Sequence, residues 1–324
     1  MRRLFRAREL GILLVLAAEI AVFSLLTHRP DRPNPMLDAD NLLATVRDMT
    51  VLATAALGSC VVIIAGGIDL SVGSCIALTS VVTAYAIVSG YSPVTASLLG
   101  VLTAMAMGFL SATFVTRAKL PPFIATLGMM SIARGLAYLV TKGATIPIPD
   151  SHFTRGLGSG MVPFPGLAVP VPVLLLLLCA VLFHLLMTHT RWGREIYALG
   201  GSEEAARLSG VPIVRLKYLV YTVGGLMAGL AGVIFTAYYG TGQSTAAMGW
   251  ELDAIASVVI GGGSLSGGRG SVWGTCIGAL IFQVLRSGLA MVGASDYNQL
   301  IIGAVVIAVV AFDQMTGKRR MRVG

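Results

Sequence analysis

Long runs of apolar residues recur along this chain of 324 residues, and they constrain its fold more than any other feature. A helix needs about 18 or more such residues to cross roughly 30 Å of hydrocarbon. A water-soluble domain cannot enclose so many segments of this length. The pattern therefore predicts an all-α, polytopic integral membrane protein with a single transmembrane domain over residues 1–324.

The composition supports this prediction, because 56% of the residues are hydrophobic and only 12% are charged. The formal net charge is +8, but the basic residues lie between apolar runs, which favours membrane lipid over nucleic acid as a partner. The four cysteines and four histidines have no spacing typical of a metal or redox site. We therefore predict no metal and no cofactor.

The apolar runs predict about ten transmembrane helices, one of them short or broken. The predicted spans are Leu10–Leu26, Met49–Ala65, Leu70–Val88, Val94–Val115, Phe123–Val140, Val169–Met187, Tyr218–Tyr238, Leu252–Ile260, Val272–Val292 and Leu300–Phe312. The eighth is too short to cross alone, and the glycines at Gly261–Gly263 favour a re-entrant or broken helix there. Interrupted helices often border the path of a transported solute.

The distribution of basic residues predicts the orientation. With ten crossings, about sixteen lysines and arginines fall on the cytoplasmic side. The loop residues that fall outside are Arg29, Arg32, Lys142 and Arg155. This bias predicts that both termini are cytoplasmic. No A-x-A-like cleavage site follows the first span, so we expect it to be retained as a signal anchor.

The longest inner loop contains the pattern E-A-A-x-x-x-G at Glu204–Gly210. Ser202 is placed to cap a helix whose first turn carries acids and whose end is marked by Gly210. The two alanines give a smooth face that suits docking into a groove. An ordinary amphipathic surface helix explains the spacing equally well.

This loop resembles the coupling segment of bacterial ATP-binding-cassette (ABC) importer permeases, in the branch for ribose, xylose, galactose and autoinducer-2. Two further strings match that branch almost literally, G-G-I-D-L-S-V-G at Gly66–Gly73 and E-L-D-A-I-A-S-V-V-I-G-G at Glu251–Gly262. The resemblance extends over nearly the whole chain. A later I-x-L-P of the broader permease consensus is absent, which puts only that broad motif in doubt.

The resemblance implies a membrane-spanning permease that imports a monosaccharide, a ribose-like pentose or a hexose, across the bacterial inner membrane. It implies three protein partners: an ABC ATPase subunit, a second permease chain that is identical or related, and a periplasmic sugar-binding protein. The coupling segment, about 191–217, would rest in a cleft of the ATPase. The coupling residues would be Glu203, Glu204, Ala205, Ala206 and Gly210.

The stretch Leu265–Arg269 reads L-S-G-G-R and resembles the L-S-G-G-Q signature of ABC ATPases. No G-x-x-x-x-G-K-[ST] string occurs in the sequence, so we do not interpret the chain as an ATPase, and no catalytic motif indicates an enzyme. The same region weakly repeats the pattern of Gly66–Gly73. Chance and internal duplication explain this echo equally well.

Acidic residues near the ends of apolar spans are candidates for the translocation pathway, because an ionised group at the membrane centre costs on the order of 3 kcal/mol. The candidates, with one neighbouring hydroxyl, are Asp69, Ser71, Glu251 and Asp253. Helix capping competes with this role. We favour Asp69 as the N-cap of the third span, and Glu251 and Asp253 fall in the first turn of the eighth.

An ion-coupled secondary transporter of a small polar solute is the alternative function, and it needs ionisable residues within the spans. Glu19 and Asp69 give it little support. Arg134 and Arg286 also lie in apolar spans, without an evident partner in the sequence. Four aromatic residues fall at span ends, which favours an interfacial belt over a sugar-stacking surface. They are Tyr238, Tyr239, Trp250 and Tyr297.

Overall fold

A computed structural model describes residues 2–28, 31, 33–165 and 167–321 of the chain. Arg29 and Arg32, two of the basic residues predicted to lie on the outer side of the membrane, are not among the described residues. The described part is mostly helical, and its four short strands form two antiparallel pairs. The prediction of a helical membrane protein is therefore confirmed in its main feature, and the short strands were not predicted.

The helices are α1 (Arg2–Thr27), α2 (Ala39–Ile64), α3 (Val72–Val88), α4 (Pro93–Thr116), α5 (Pro122–Thr141), α6 (Val171–His189), α7 (Arg191–Gly201), α8 (Glu203–Leu208), α9 (Ile213–Tyr239), α10 (Trp250–Ile260), α11 (Val272–Met291) and α12 (Asn298–Met321). The strands are β1 (Ile146–Pro147), β2 (Met161–Phe164), β3 (Leu167–Pro170) and β4 (Thr241–Gly242). β1 pairs with β4, and β2 pairs with β3.

Within the described residues, seven helices are long and apolar enough to cross a membrane, namely α1, α2, α4, α5, α6, α9 and α11. Each of the ten predicted spans coincides with one helix. However, α3 has 17 residues and α10 only 11, so length alone does not make either a full crossing. The short eighth segment is as predicted, and the count of about ten crossings stays a prediction.

Helix α9 lies at the centre of the molecule, where it packs against α2, α3 and α4. Its contact with α4 is close because small residues face each other. A Cβ atom at Gly108 of α4 would overlap the carbonyl oxygen of Tyr221, and one at Gly225 of α9 would overlap that of Ala104. Small residues let helix backbones approach in a membrane, where no hydrophobic effect drives association.

The chain between α9 and α10 returns into the bundle without forming a helix. After Gly240 ends α9 with a φ of 65°, Gly242 packs against Ser80 and Ala84 of α3. Five residues later, Ala247 contacts Gly73, near the start of the same helix. Residues 243–249 therefore run beside α3 toward its N-terminus, and α10 continues from there.

Beyond its last residue, α10 reaches the start of α11. Gly261 and Gly274 touch through their backbones, so that a Cβ on either would overlap the other residue. Residues 243–249 and α10 together therefore form one continuous stretch, half non-helical and half helical. That this stretch is a broken or re-entrant membrane segment stays a prediction.

We predict that Gly108→Val lowers the thermal unfolding temperature of the purified protein, because the new side chain must displace the backbone of α9. The free energy of unfolding should fall by about 2 kcal/mol, a loss typical of an overpacked core. Gly128→Val on α5 is the matched control, since a Cβ there would meet no atom within 4 Å. Equal melting curves for the two variants would contradict the close α4–α9 contact.

Candidate functional site

Helix α8 lies exposed at the surface and is attached mainly through one residue. Ala206 is buried, whereas Glu203, Glu204 and Ala205 are exposed and Leu208 is 79% exposed. An exposed leucine beside an alanine on a charged helix is suited to a partner's groove. Of the predicted coupling residues, the structure therefore exposes Glu203, Glu204 and Ala205 on α8 and places Gly210 just beyond its end. The prediction that both alanines form the docking face is wrong, because Ala206 packs against its own chain.

The ends of α8 form as the sequence predicts. Ser202 accepts a hydrogen bond from the amide of Ala205 at 3.2 Å, which caps the N-terminus. At the other end Gly210 has a φ of 79°, a left-handed conformation that glycine adopts without strain. Both acids form surface ion pairs, Glu204 with Arg207 and Glu203 with Lys217, and such pairs add little stability.

Helix α7 connects α8 to the bundle. It is amphipathic, and its Gly193, Ile196 and Leu199 are buried. The hydroxyl of Tyr197 donates a hydrogen bond to the carbonyl of Gly270 at 2.9 Å. Burial raises the pKa of Tyr197 to about 12.

At its C-terminal end α7 contacts both of the glycine-rich segments whose sequences echo each other. A Cβ at Gly200 would overlap the carbonyl oxygen of Ile64, and that same oxygen accepts a hydrogen bond from the amide of Gly268 at 2.8 Å. A Cβ at Gly267 would lie 2.9 Å from Cα of Gly66. One point on α7 therefore touches the segments that lead into α3 and α11.

Asp69 and Ser71 lie together just before α3, both buried. The carboxylate of Asp69 accepts hydrogen bonds from the amide and the hydroxyl of Ser71, at 2.8 and 2.6 Å. The prediction that Asp69 is the N-cap of the third span is wrong. Helix α3 begins at Val72 with Ser71 as its N-cap, and Asp69 instead stabilises the turn that precedes the cap.

Glu251 lies against the first turn of α3, where a Cβ on Gly73 would overlap its Oε2. This oxygen is buried and has no hydrogen-bond partner among the described residues. Asp69, Ser71 and Glu251 therefore converge at the start of α3. Asp253 lies apart from them, because its buried carboxylate pairs with Arg286 of α11.

Two arginines that had no evident partner in the sequence have well-defined partners in the structure. Arg134 donates two hydrogen bonds to the carbonyls of Ser244 and Ala246, at 2.8 and 2.7 Å. Arg286 binds Asp253, and its guanidinium lies 5.4 Å from the ring centroid of Trp250. Sequence reasoning noticed both arginines as charges in apolar spans, but it missed Arg134 as the partner of non-helical backbone.

Comparison with known proteins identifies the lineage. A family model described as the branched-chain amino acid transport system / permease component matches residues 41–310. The ribose import permease protein of Bacillus subtilis is 40% identical over 278 residues, covering 85% of each chain. The D-allose transport system permease protein of Escherichia coli K12 is 36% identical over 313 residues, 95% of this chain and 92% of that protein. A probable ABC transporter permease of the same strain is 35% identical over 301 residues, which cover 93% of this chain and 87% of that protein.

We predict that Gly200→Val detaches α7 from the bundle, because its side chain must displace the carbonyl of Ile64. Hydrogen exchange of the amides in 191–201 should then speed up by about tenfold or more. Gly201→Val is the matched control, since a Cβ there meets nothing within 4 Å. Unchanged exchange in the Gly200 variant would show that α7 is not held at this point.

Proposed function

Because the chain belongs to the family of permease components of branched-chain amino acid transport systems, we propose that it is the membrane-spanning subunit of an ABC importer for a monosaccharide. The relatives named for ribose and D-allose support the substrate class. The observation that carries the mechanism is the exposed α8, joined through α7 to both glycine-rich segments. To transmit movement, a helix must be accessible to the partner and must contact the membrane helices. Helix α8 is exposed, and through α7 it is connected to the segments before α3 and α11.

In this proposal a separate ATPase subunit holds α8 in a cleft. Leu208 and Ala205 supply the apolar contact, and the acids of the first turn determine which surface fits. Movement of α8 is passed to α7, and α7 transmits it at Gly200 to the starts of α3 and α11. Binding of the ATPase thus biases an equilibrium between two arrangements of the bundle.

We place the sugar passage along the non-helical segment 243–249. Thr245 is exposed, and Met248 is 62% exposed, so this face is uncovered in the single chain. Non-helical backbone at membrane depth is tolerated only where it is buried in protein or borders water. We therefore propose that this face borders water or a second chain and not lipid. Asp69, Ser71 and Glu251 lie behind this face as candidate pathway residues, with Asp253 on its α11 side.

The remaining parts of the proposal concern assembly. A second permease chain, identical or related, completes the passage on the uncovered face, and a periplasmic sugar-binding protein delivers the substrate. The chain crosses the bacterial inner membrane about ten times, with both termini in the cytoplasm. Bound ATP is restricted to the partner subunit, and this chain performs no catalysis.

An ion-coupled secondary transporter is disfavoured. Where the name of a relative reported above states the class of transporter, that class is the ABC transporters. Asp69 Oδ1 accepts hydrogen bonds from both the amide and the hydroxyl of Ser71, which is the arrangement of a turn-stabilising carboxylate. Glu19 lies on α1, which packs against α11 at the edge of the bundle, so neither acid gives a continuous ion path.

We predict that Glu204→Lys reduces ATP-dependent uptake of labelled ribose by about a hundredfold or more, because it reverses a charge on the docking helix and opposes its dipole. Uptake is measured in vesicles that contain the ATPase and the binding protein. Protein level and melting temperature should not change, since Glu204 is exposed.

Asp150→Lys is the matched control for this experiment. Asp150 is also an exposed acid in an ion pair, with Arg155, but it lies in the loop between α5 and α6. Its reversal should leave uptake intact. Normal uptake by the Glu204 variant would refute the coupling role of α8.

A further inference from the structure

Two charged residues lie within the outer half of α2. Arg47 and Asp48 are in its third turn, about 12 to 14 Å along the helix from its first residue. The hydroxyl of Tyr238, at the end of α9, donates a hydrogen bond to Asp48 Oδ1 at 2.7 Å. The guanidinium of Arg47 lies 4.8 Å from the centroid of the same ring. A carboxylate, a guanidinium and a phenol thus form one cluster.

A second tyrosine extends this cluster along α9. The rings of Tyr238 and Tyr239 are 4.9 Å apart at an interplanar angle of 72°, and Tyr239 is 50% exposed. Tyr239 is the last residue of α9, and the chain continues from it through Gly240 into the non-helical segment 243–249. The cluster therefore lies at the end of α9 from which the segment beside the proposed passage continues.

The two charged side chains are partly exposed and not fully paired. The side chains of Arg47 and Asp48 are 27% and 35% exposed. Arg47 Nε is itself buried, lies 3.7 Å from Asp48 Oδ1, too far for a hydrogen bond, and has no other hydrogen-bond partner among the described residues. Charges at this depth are costly against lipid, so this face borders water or a second chain.

We propose that Arg47, Asp48, Tyr238 and Tyr239 form a low-affinity binding site for a monosaccharide in the outer half of the passage. The proposal rests on the proposed function. A sugar ring presents hydroxyls that both donate and accept, and a face of C–H groups. The partly exposed carboxylate of Asp48 accepts from hydroxyls, and the exposed ring of Tyr239 offers an aromatic face for the C–H groups. Arg47 holds the ring of Tyr238 beside this carboxylate.

The tyrosine hydroxyl in this cluster has a different hydrogen-bond partner from a tyrosine hydroxyl in an interfacial aromatic belt. In a belt the tyrosine hydroxyl reaches toward the headgroups. Here the hydroxyl of Tyr238 is bound to a carboxylate of a neighbouring helix, and the ring is covered on one side by Arg47. The site is open rather than enclosed, and an open site suits a solute that must leave again.

The test uses the complete importer, with its ATPase and binding protein, in proteoliposomes supplied with radiolabelled ribose or allose. Asp48→Asn and Tyr239→Ala should each lower the initial rate of sugar uptake about tenfold. ATP hydrolysis stimulated by the loaded binding protein should remain within about twofold of the unmodified importer, because coupling occurs at α8. Tyr239→Phe keeps the aromatic face and should retain most of the uptake.

Tyr138→Ala is the matched control, because Tyr138 is 59% exposed on α5, which packs against α3 and α4. It should leave both rates unchanged. Unchanged uptake in the Asp48 and Tyr239 variants would overturn the site. A proportional fall of uptake and ATP hydrolysis would also overturn it, since that result indicates a structural role. If the unmodified importer takes up neither sugar, the proposed function itself fails.

Discussion

The hydrogen bonds that Arg134 and Ser80 make to the non-helical segment 243–249 are the interaction on which the rest of the structure depends. In hydrocarbon an unpaired carbonyl costs several kcal/mol, so a span can leave the helical form only where other groups satisfy its backbone. Arg134 binds two of these carbonyls, and the hydroxyl of Ser80 accepts from the amide of Gln243 at 3.2 Å. Ala247, with a φ of 51°, shows that the segment also carries local strain.

The position of this segment determines where α10 begins, and α10 in turn orients the two acids of its first turn. Glu251 is directed to α3 and Asp253 to α11. At its other end, the backbone contact of Gly261 with Gly274 joins α10 to α11. Because α7 touches the segments before α3 and α11, a displacement of α7 in the proposed mechanism would act on both helices that pack against α10.

Local features of the structure could be predicted from the sequence because they depend on neighbouring residues. The short α10, the cap at Ser202 and the left-handed glycine at Gly210 follow from helix length, hydrogen-bonding side chains and backbone freedom. Asp69 was misassigned because an Asp before an apolar run fits both an N-cap and a preceding turn. Only the position of Ser71 distinguishes the two.

Features that join distant parts of the chain could not be predicted. The partners of Arg134 lie about a hundred residues away, and periodicity gives no information about such pairings. The echo of the two glycine-rich segments was visible in the sequence, but not their meeting at Gly200. Likewise, the position of Tyr238 at a span end could be read from the sequence, but its hydrogen bond to Asp48 of α2 could not.

The central claim is that residues 243–249 border an aqueous passage. Labelling of single cysteines in intact vesicles by a charged, membrane-impermeant maleimide tests it most directly. Thr245→Cys and Met248→Cys should react above the background of the unmodified chain, whereas Leu102→Cys, 57% exposed on α4, should not react because it faces lipid. Reaction at Leu102 with none at Thr245 or Met248 would contradict the account.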